Sequence, residues 1–272
     1  MSDKPFHFKE FSILQDQCAM KIGTDGVLLG AWIKIPYDTE SILDIGTGTG
    51  LIALQMAQRS EAETIDALEI ESKAFEQAVE NFENSLWADR LFCYHASLME
   101  FKDEIDEQYD LIVSNPPYFN DTFKDLKEER ALARHTHKLS YKELLASTDK
   151  LLSPSGSCAF IIPFKEESNF LSLAALNELY PIRMTRVRGT EQSDIKRSLA
   201  LAEVPDGVDD YTVNITTLHK FMYELIYGFG LGLTMKTFES GVTAEVVGDF
   251  LSKYNQYVKE LLSYLEEGVI EE

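Results

Sequence analysis

At 272 residues with 44% hydrophobic composition, the chain is long enough for one large domain with or without an extension, and apolar enough to give it a core. A formal net charge of −21 weighs against broad, nonspecific nucleic-acid binding, which relies on neutralising many phosphates. Met1 to Phe11 has no apolar h-region and the apolar stretch Phe221 to Met235 is interrupted by Glu224, so neither a signal peptide nor a membrane span is supported and a cytoplasmic protein is expected.

Phe6 to Ile33 comes first, with the glycine-punctuated run Lys21-Ile22-Gly23-Thr24-Asp25-Gly26 followed by Val27 to Trp32. It reads as a lid or an N-terminal helix over the site that follows, and residues 1–40 are taken as one segment. From Ser41 onward short β-rich runs alternate with helical stretches. Strands are expected at Ser41 to Gly46, Thr64 to Ile70, Leu91 to His95, Tyr109 to Ser114, Ser157 to Pro163, Ile182 to Arg188 and Ser198 to Val204. Helices fit at Gly50 to Arg59, Ser72 to Ser85, Tyr141 to Leu152 and Glu166 to Leu179. The alternation predicts an α/β domain over residues 41–212, a seven-stranded, mostly parallel sheet with helices on both faces, whose ligands bind at the carboxyl ends of the strands. Residues 213–272 are expected to form a helical extension. In it Val247, Leu251, Tyr254, Val258, Leu261 and Leu265 make a heptad-like seam, suited either to packing on its own domain or to a homodimer.

The chemistry-bearing motifs fall at those carboxyl ends. Asp44-Ile45-Gly46-Thr47-Gly48-Thr49-Gly50 leaves a strand and opens a helix, so its glycines let the backbone turn tightly and approach a ligand. The spacing is GxGxG rather than GxGxxG, and no lysine followed by Ser or Thr completes a P-loop. Glu69, ending the second strand, is placed to accept hydrogen bonds from two ribose hydroxyls. Asn115-Pro116-Pro117-Tyr118 ends the fourth strand. Proline at 116 biases Asn115 toward extended backbone, so the Asn115 side-chain oxygen and the Pro116 carbonyl can converge on one planar NH2 group, with the Tyr118 ring beside them. Cys18, Cys93 and Cys158 show no CxxC or histidine spacing, which argues against a metal site and a disulfide framework. Two local basic patches stand out from the acidic background: Arg183, Arg186, Arg188, Lys196 and Arg197; and Arg130, Arg134, His135, His137 and Lys138. Each reads equally as a solvated surface or as a nucleic-acid contact.

In order, these motifs resemble the S-adenosylmethionine-dependent methyltransferases of the Rossmann-like class, in the branch that methylates amino groups. Cys18-Ala19-Met20-Lys21-Ile22-Gly23-Thr24-Asp25-Gly26-Val27-Leu28-Leu29-Gly30-Ala31-Trp32 resembles the N-terminal signature of the bacterial methyltransferases acting on N6 of adenine 37 in valine tRNA, and the similarity runs on to Tyr211-Thr212. The resemblance implies S-adenosyl-L-methionine as cofactor and tRNA as partner. It places Asp44, Gly46, Gly48 and the Lys21, Gly23, Thr24 and Asp25 segment around the methionine part of the cofactor, with Glu69 at the ribose. Ser97 and Leu98 fall at its adenine. Many relatives carry an acid there where this chain reads His95-Ala96-Ser97-Leu98, which leaves the adenine contact to Ser97 or to the backbone. Asn115, Pro116 and Tyr118 would carry catalysis, with Asn115 also meeting the cofactor. Pro117, Tyr118, Phe119, Arg186, Arg188, Lys196 and Arg197 would hold the substrate. Two alternatives share the NPPY motif: methylation of a glutamine amide in a protein, or of guanine N2 in ribosomal RNA. A third is a cofactor-binding scaffold that has lost catalysis.

Overall fold

The computed structural model describes residues 4–117 and 139–203 in full, and the backbone of 212–217. A small antiparallel pair, β1 (Phe6–His7) and β2 (Ser12–Ile13), precedes helix α1 (Thr24–Trp32). The main unit then runs β3 (Ser41–Ile45), α2 (Leu51–Arg59), β4 (Thr64–Glu69), α3 (Ser72–Glu83), β5 (Leu91–His95), α4 (Leu98–Glu104) and β6 (Tyr109–Ser114). After residues 118–138 come α5 (Tyr141–Leu151), β7 (Leu152–Pro163), a 3-10 turn (Phe164–Glu166), α6 (Glu167–Ala175), β8 (Tyr180–Arg188), β9 (Ile195–Glu203) and β10 (Thr212–Thr217).

Strand order across the sheet is β10-β8-β9-β7-β6-β3-β4-β5. The seven expected strands are all present, and all pairings are parallel except those of β9 with β7 and with β8. The sequence reading begins the helical extension at 213; the backbone instead continues as β10, parallel to β8, so the sheet gains an eighth strand ending at Thr217. The heptad-like seam of the expected extension lies outside the described residues.

Why the sheet carries helices on both sides is visible in the strand side chains, which alternate between faces. Ile42, Leu111, Val113, Ala159 and Ile161 join α1, α2 and the N-terminal segment in one core. Leu43, Ile45, Ile112, Phe160 and Ile162 join α4, α5 and α6 in the other. In β6 the run Leu111-Ile112-Val113 is wholly buried, as a central strand requires, and each such side chain contributes about 1.5–3 kcal/mol by leaving water.

Local signals set the helix ends. Ser97 and Ser140 each cap a helix with the Glu three residues on: Ser97 with Glu100 for α4, Ser140 with Glu143 for α5. The α1 terminus is closed from α2, where Arg59 donates to the carbonyls of Gly30 and of Ile33, the latter at 2.7 Å. Trp32, at the end of α1, donates its indole N–H to Thr185 in β8 and lies under the Arg183 guanidinium, 4.4 Å from the ring centre. These contacts seat the N-terminal segment against the sheet.

Candidate active site

The chain reverses its direction of progress across the sheet between β3 and β6: β4 and β5 are added on one side of β3, β6 and its followers on the other. A crevice opens there at the strand carboxyl ends, as it does in open α/β sheets generally. It is a cavity of about 600 Å³, walled by Gly46 and Gly48 after β3, Glu69 and Ile70 after β4, Ala96 to Glu100 after β5, and Ser114 to Pro117 at the end of β6. Strand register holds these four loops level. Ile45 pairs with Leu68 on one side and Ser114 on the other, and the Ser114 hydroxyl donates to the Ile45 carbonyl at 2.8 Å.

The glycine loop has φ of +73° at Gly46, +59° at Gly48 and +82° at Gly50, a region that side chains with a Cβ enter only at a cost. At Gly50 a Cβ would also come within 2.5 Å of the Phe82 ring. At Gly46 and Gly48 it would meet no atom within 4 Å, so both glycines leave open space along the cavity wall. Beneath the loop Asp44 is buried and accepts from the Thr47 hydroxyl at 2.6 Å and the Ala53 N–H at 3.1 Å, tying loop to helix. Burial pushes its carboxyl up to about 7 despite those two donors, and its Oδ1 has no hydrogen-bond partner.

Glu69 accepts from two backbone N–H groups, Gly48 at 2.8 Å and Glu71 at 2.9 Å. A carboxylate offers about four acceptor positions, so these bonds orient it and leave capacity for further donors. Across the crevice Asn115 is half-buried beside Pro116, which is buried, and Pro117, which is exposed. The first turn of α1 reaches this point: a Cβ on Gly26 would lie 3.9 Å from Asn115 Nδ2.

Of the residues singled out in the sequence, Gly46, Gly48, Glu69, Ser97, Leu98, Asn115, Pro116 and Pro117 meet at the one cavity. Asp44 lies under its floor. Lys21, Gly23, Thr24 and Asp25 are not among its lining residues; they stand at the start of α1, where Asp25 pairs with Arg197 of β9 at 2.7 Å. The segment just ahead of them forms the wall instead, through Cys18, Ala19 and Met20. Burial, helped by Glu69, raises the Cys18 thiol to about 11 and keeps it protonated and inert at neutral pH. Tyr118, Phe119 and the patch from Arg130 to Lys138 lie outside the described residues.

In the other basic patch, Arg186 makes a bidentate pair with the buried Glu167, its Nη2 at 2.6 Å from Oε1, and Glu167 also accepts from Ser198 at 2.5 Å. Arg188 donates to the Glu191 carbonyl at 2.9 Å, while Lys196 is exposed. Arg186 and Arg197 thus hold the structure together as well as adding positive charge. The sequence reading did not single out Ile70, Met99 or Glu100 as cavity walls. Their position one or a few residues after a strand end was the available signal.

A cavity at the switch point, two glycines opening onto it, an oriented carboxylate on the adjacent strand and a buried Asp44 with an unpartnered oxygen together fit an extended nucleoside with a polar tail. S-adenosyl-L-methionine is such a molecule. Comparison with known proteins agrees. Residues 24–165 match the family model described as methyltransferase small domain. Among solved structures, a predicted O-methyltransferase from Agrobacterium tumefaciens superposes with a TM-score of 0.53 at 17% identity, covering 72% of this chain and 85% of that one. A class I S-adenosylmethionine-dependent methyltransferase from Listeria monocytogenes gives 0.52 at 14%, covering 76% and 67%. Those two show the fold. The chain is 52% identical over 240 residues to the tRNA1(Val) (adenine(37)-N6)-methyltransferase of Christiangramia forsetii, covering 86% of this chain and 100% of that one. It is 58% identical over 194 residues to the enzyme of the same name from Flavobacterium johnsoniae, covering 71% and 83%. The Rossmann-like sheet, the crevice with Asn115, Pro116 and Pro117 at its strand end and these relatives meet in one conclusion: the chain belongs to the tRNA1(Val) (adenine(37)-N6)-methyltransferase family.

Proposed function

We propose that this protein transfers a methyl group from S-adenosyl-L-methionine to N6 of an adenine in tRNA, adenine 37 of valine tRNA, in the cytoplasm. The observation that carries the reading is that Asn115 lines the same cavity as Glu69 and the glycine loop, with relatives of that name at 52% and 58% identity. When bound, the cofactor supplies an electrophilic sulfonium methyl.

What the chain contributes is placement and preorganised acceptors. Glu69, already oriented by the Gly48 and Glu71 N–H groups, takes the ribose hydroxyls, and Gly46 and Gly48 give the methionine part room along the loop. Asp44 beneath the loop, its carboxyl raised to about 7 by burial, would supply negative charge once an ammonium group lies on that side and favours its ionised form. The N6 lone pair of adenine is delocalised into its ring, so the amine is a weak nucleophile. Asn115 Oδ1 and the Pro116 carbonyl accept its two hydrogens, favour a more pyramidal nitrogen and direct the lone pair toward the methyl. No strong base is required, because the methylated nitrogen becomes acidic and then loses its proton. Tyr118, with Phe119, would stack the purine, which leaves its loop to enter the crevice; an unpaired anticodon-loop base suits that demand. Lys196 is the exposed cation of the patch and would meet a phosphate, with the half-buried Arg186, Arg188 and Arg197 adding charge beside it.

The test is methyl transfer in vitro to an unmodified valine tRNA transcript, to the same transcript with guanine at 37, and to a glutamine-containing release-factor fragment. Incorporation into the first alone is expected. Incorporation into the protein fragment, or equally into both transcripts, contradicts the reading.

A further inference from the structure

Most walls of the cavity are strand-end loops, but the wall at Cys18, Ala19 and Met20 comes from a segment far ahead of them in the chain. Residues 14–23, between β2 and α1, form neither helix nor strand, so their backbone groups need partners outside a ladder. The segment closes on itself where the Ile22 N–H donates to Gln15 Oε1 at 3.1 Å, which puts the three wall residues inside a loop with a narrow base. That loop is held to α3. The Leu14 N–H donates to Asn81 Oδ1 at 2.7 Å, the Leu14 carbonyl accepts from Asn81 Nδ2 at 2.9 Å, and the Gln17 N–H donates to Gln77 Oε1 at 2.9 Å. Ala19 and Met20 are exposed at the tip, so the wall is placed from its base rather than by burial.

The Asn81 amide has a second hydrogen, and it goes to the glycine loop: Nδ2 also donates to the Thr49 carbonyl at 2.9 Å. One buried side chain therefore binds two walls of the same cavity. Gln77 and Asn81 lie on the face of α3 whose Ala74 lines that cavity, and both are fully enclosed, at 0% and 1% exposure. Buried amides are costly in a helix unless they are bonded, and the bonds these two make all lead to backbone that shapes the site or to their own helix. We infer that Asn81 is a positioning residue for cofactor binding, fixing the Cys18–Met20 wall and the glycine loop in one geometry, with Gln77 as a second grip on that wall. The inference rests on the methyltransferase reading. Neither amide lines the cavity, so each acts through the backbone it holds. They add one long-range grip to a cradle otherwise made of near neighbours. The wall stands on the ribose side: Cys18 feels the charges of Glu69 and Glu71, which help to raise its thiol. Its placement should accordingly govern cofactor affinity and leave presentation of the amine alone.

The experiment compares the full chain with Asn81→Ala, Asn81→Asp, Gln77→Met and Asn84→Ala, the last a control at the exposed end of the same helix, where Asn84 Nδ2 donates to the Glu80 carbonyl at 2.8 Å. Each is read by calorimetric binding of S-adenosylhomocysteine, by cofactor KM and kcat in methyl transfer to the valine tRNA transcript, by hydrogen exchange of a peptide covering residues 14–22, and by a thermal melt. Asn81→Ala is expected to weaken binding and raise the cofactor KM by roughly tenfold, the order of one or two neutral hydrogen bonds, with kcat at saturating cofactor within about twofold. Asn81→Asp keeps the shape and the acceptor for Leu14 but offers neither carbonyl a donor, so it should bind no better than Asn81→Ala. Gln77→Met should raise KM by about threefold and speed exchange over residues 14–22. Asn84→Ala should alter neither, whatever its melting temperature. Wild-type affinity in both Asn81 variants overturns the inference, as does a kcat that falls with KM unchanged, the mark of a lost folded fraction, or an equal loss of affinity in Asn84→Ala. Gln77→Met decides the matter if the Asn81 variants do not fold: wild-type exchange and affinity there overturn it. A wild type that does not bind S-adenosylhomocysteine overturns the cofactor reading and the inference together.

Discussion

The two halves of the sheet on either side of β3 are held by different means. On the β4–β5 side the site is made from near neighbours: Asp44 ties Thr47 and Ala53, Glu69 ties Gly48 and Glu71, Ser97 ties Glu100. On the β7–β9–β8 side the links join distant segments: Asp25 with Arg197, Trp32 with Thr185, Glu167 with Arg186. The first half is a preformed cradle whose precision is local. The second is an assembly in which the N-terminal helix is pinned to the last strands, bringing Gly26 beside Asn115. Cofactor binding should therefore depend on a few loop residues, and presentation of the amine on long-range packing.

The largest effect expected on that contrast is at the strand end between the halves. Asn115→Ala should lower the rate of methyl transfer roughly 10²–10³-fold, the usual consequence of removing one preorganised polar group at the reacting centre, while S-adenosylhomocysteine affinity measured by calorimetry changes little. Normal turnover in this variant would sink the mechanism. Glu69→Ala should do the reverse, weakening cofactor binding by about 10²-fold through two lost hydrogen bonds to a charged acceptor. Stability should respond to the long-range half. Arg186→Met leaves the buried Glu167 without its cationic partner and should cost about 3–5 kcal/mol in denaturant unfolding, with cofactor affinity retained if the halves are as separable as their contacts suggest.

The smallest effect concerns pH. The folded-state pKa of Asp44, raised by burial to about 7, lies above its ordinary value, so the folded protein binds a proton that the unfolded chain has released. This group's contribution is fully present below the unfolded pKa and is lost as pH rises through about 7. Asp44→Asn should flatten the melting temperature across that window; an unchanged slope would remove Asp44 as its source.

The same division explains what could be read from the sequence. The parallel strands and their helices announced themselves through apolar runs and periodicity, and the glycine loop, Glu69 and NPPY through their order. Helix α4 did not, because Leu98–Glu104 is too short to display a full amphipathic repeat. Strand β10 was hidden because Thr-Val-Asn-Ile-Thr-Thr follows an acidic, turn-rich link and lacks an apolar run. The cavity wall at Cys18 to Met20 carries no chemical signal of its own. Nor does spacing reveal that Arg186 faces Glu167 or that Arg197 faces Asp25, since pairing across 19 and 172 positions is a property of the folded sheet.

The most direct test of the central claim is mass spectrometry of valine tRNA from cells lacking this protein, complemented with the wild-type chain or with Asn115→Ala. The account predicts that N6-methyladenosine at position 37 is absent from the deletion strain, returns with the wild-type chain and stays absent with the variant. Methylation that persists in the deletion strain, or returns with Asn115→Ala, would contradict it.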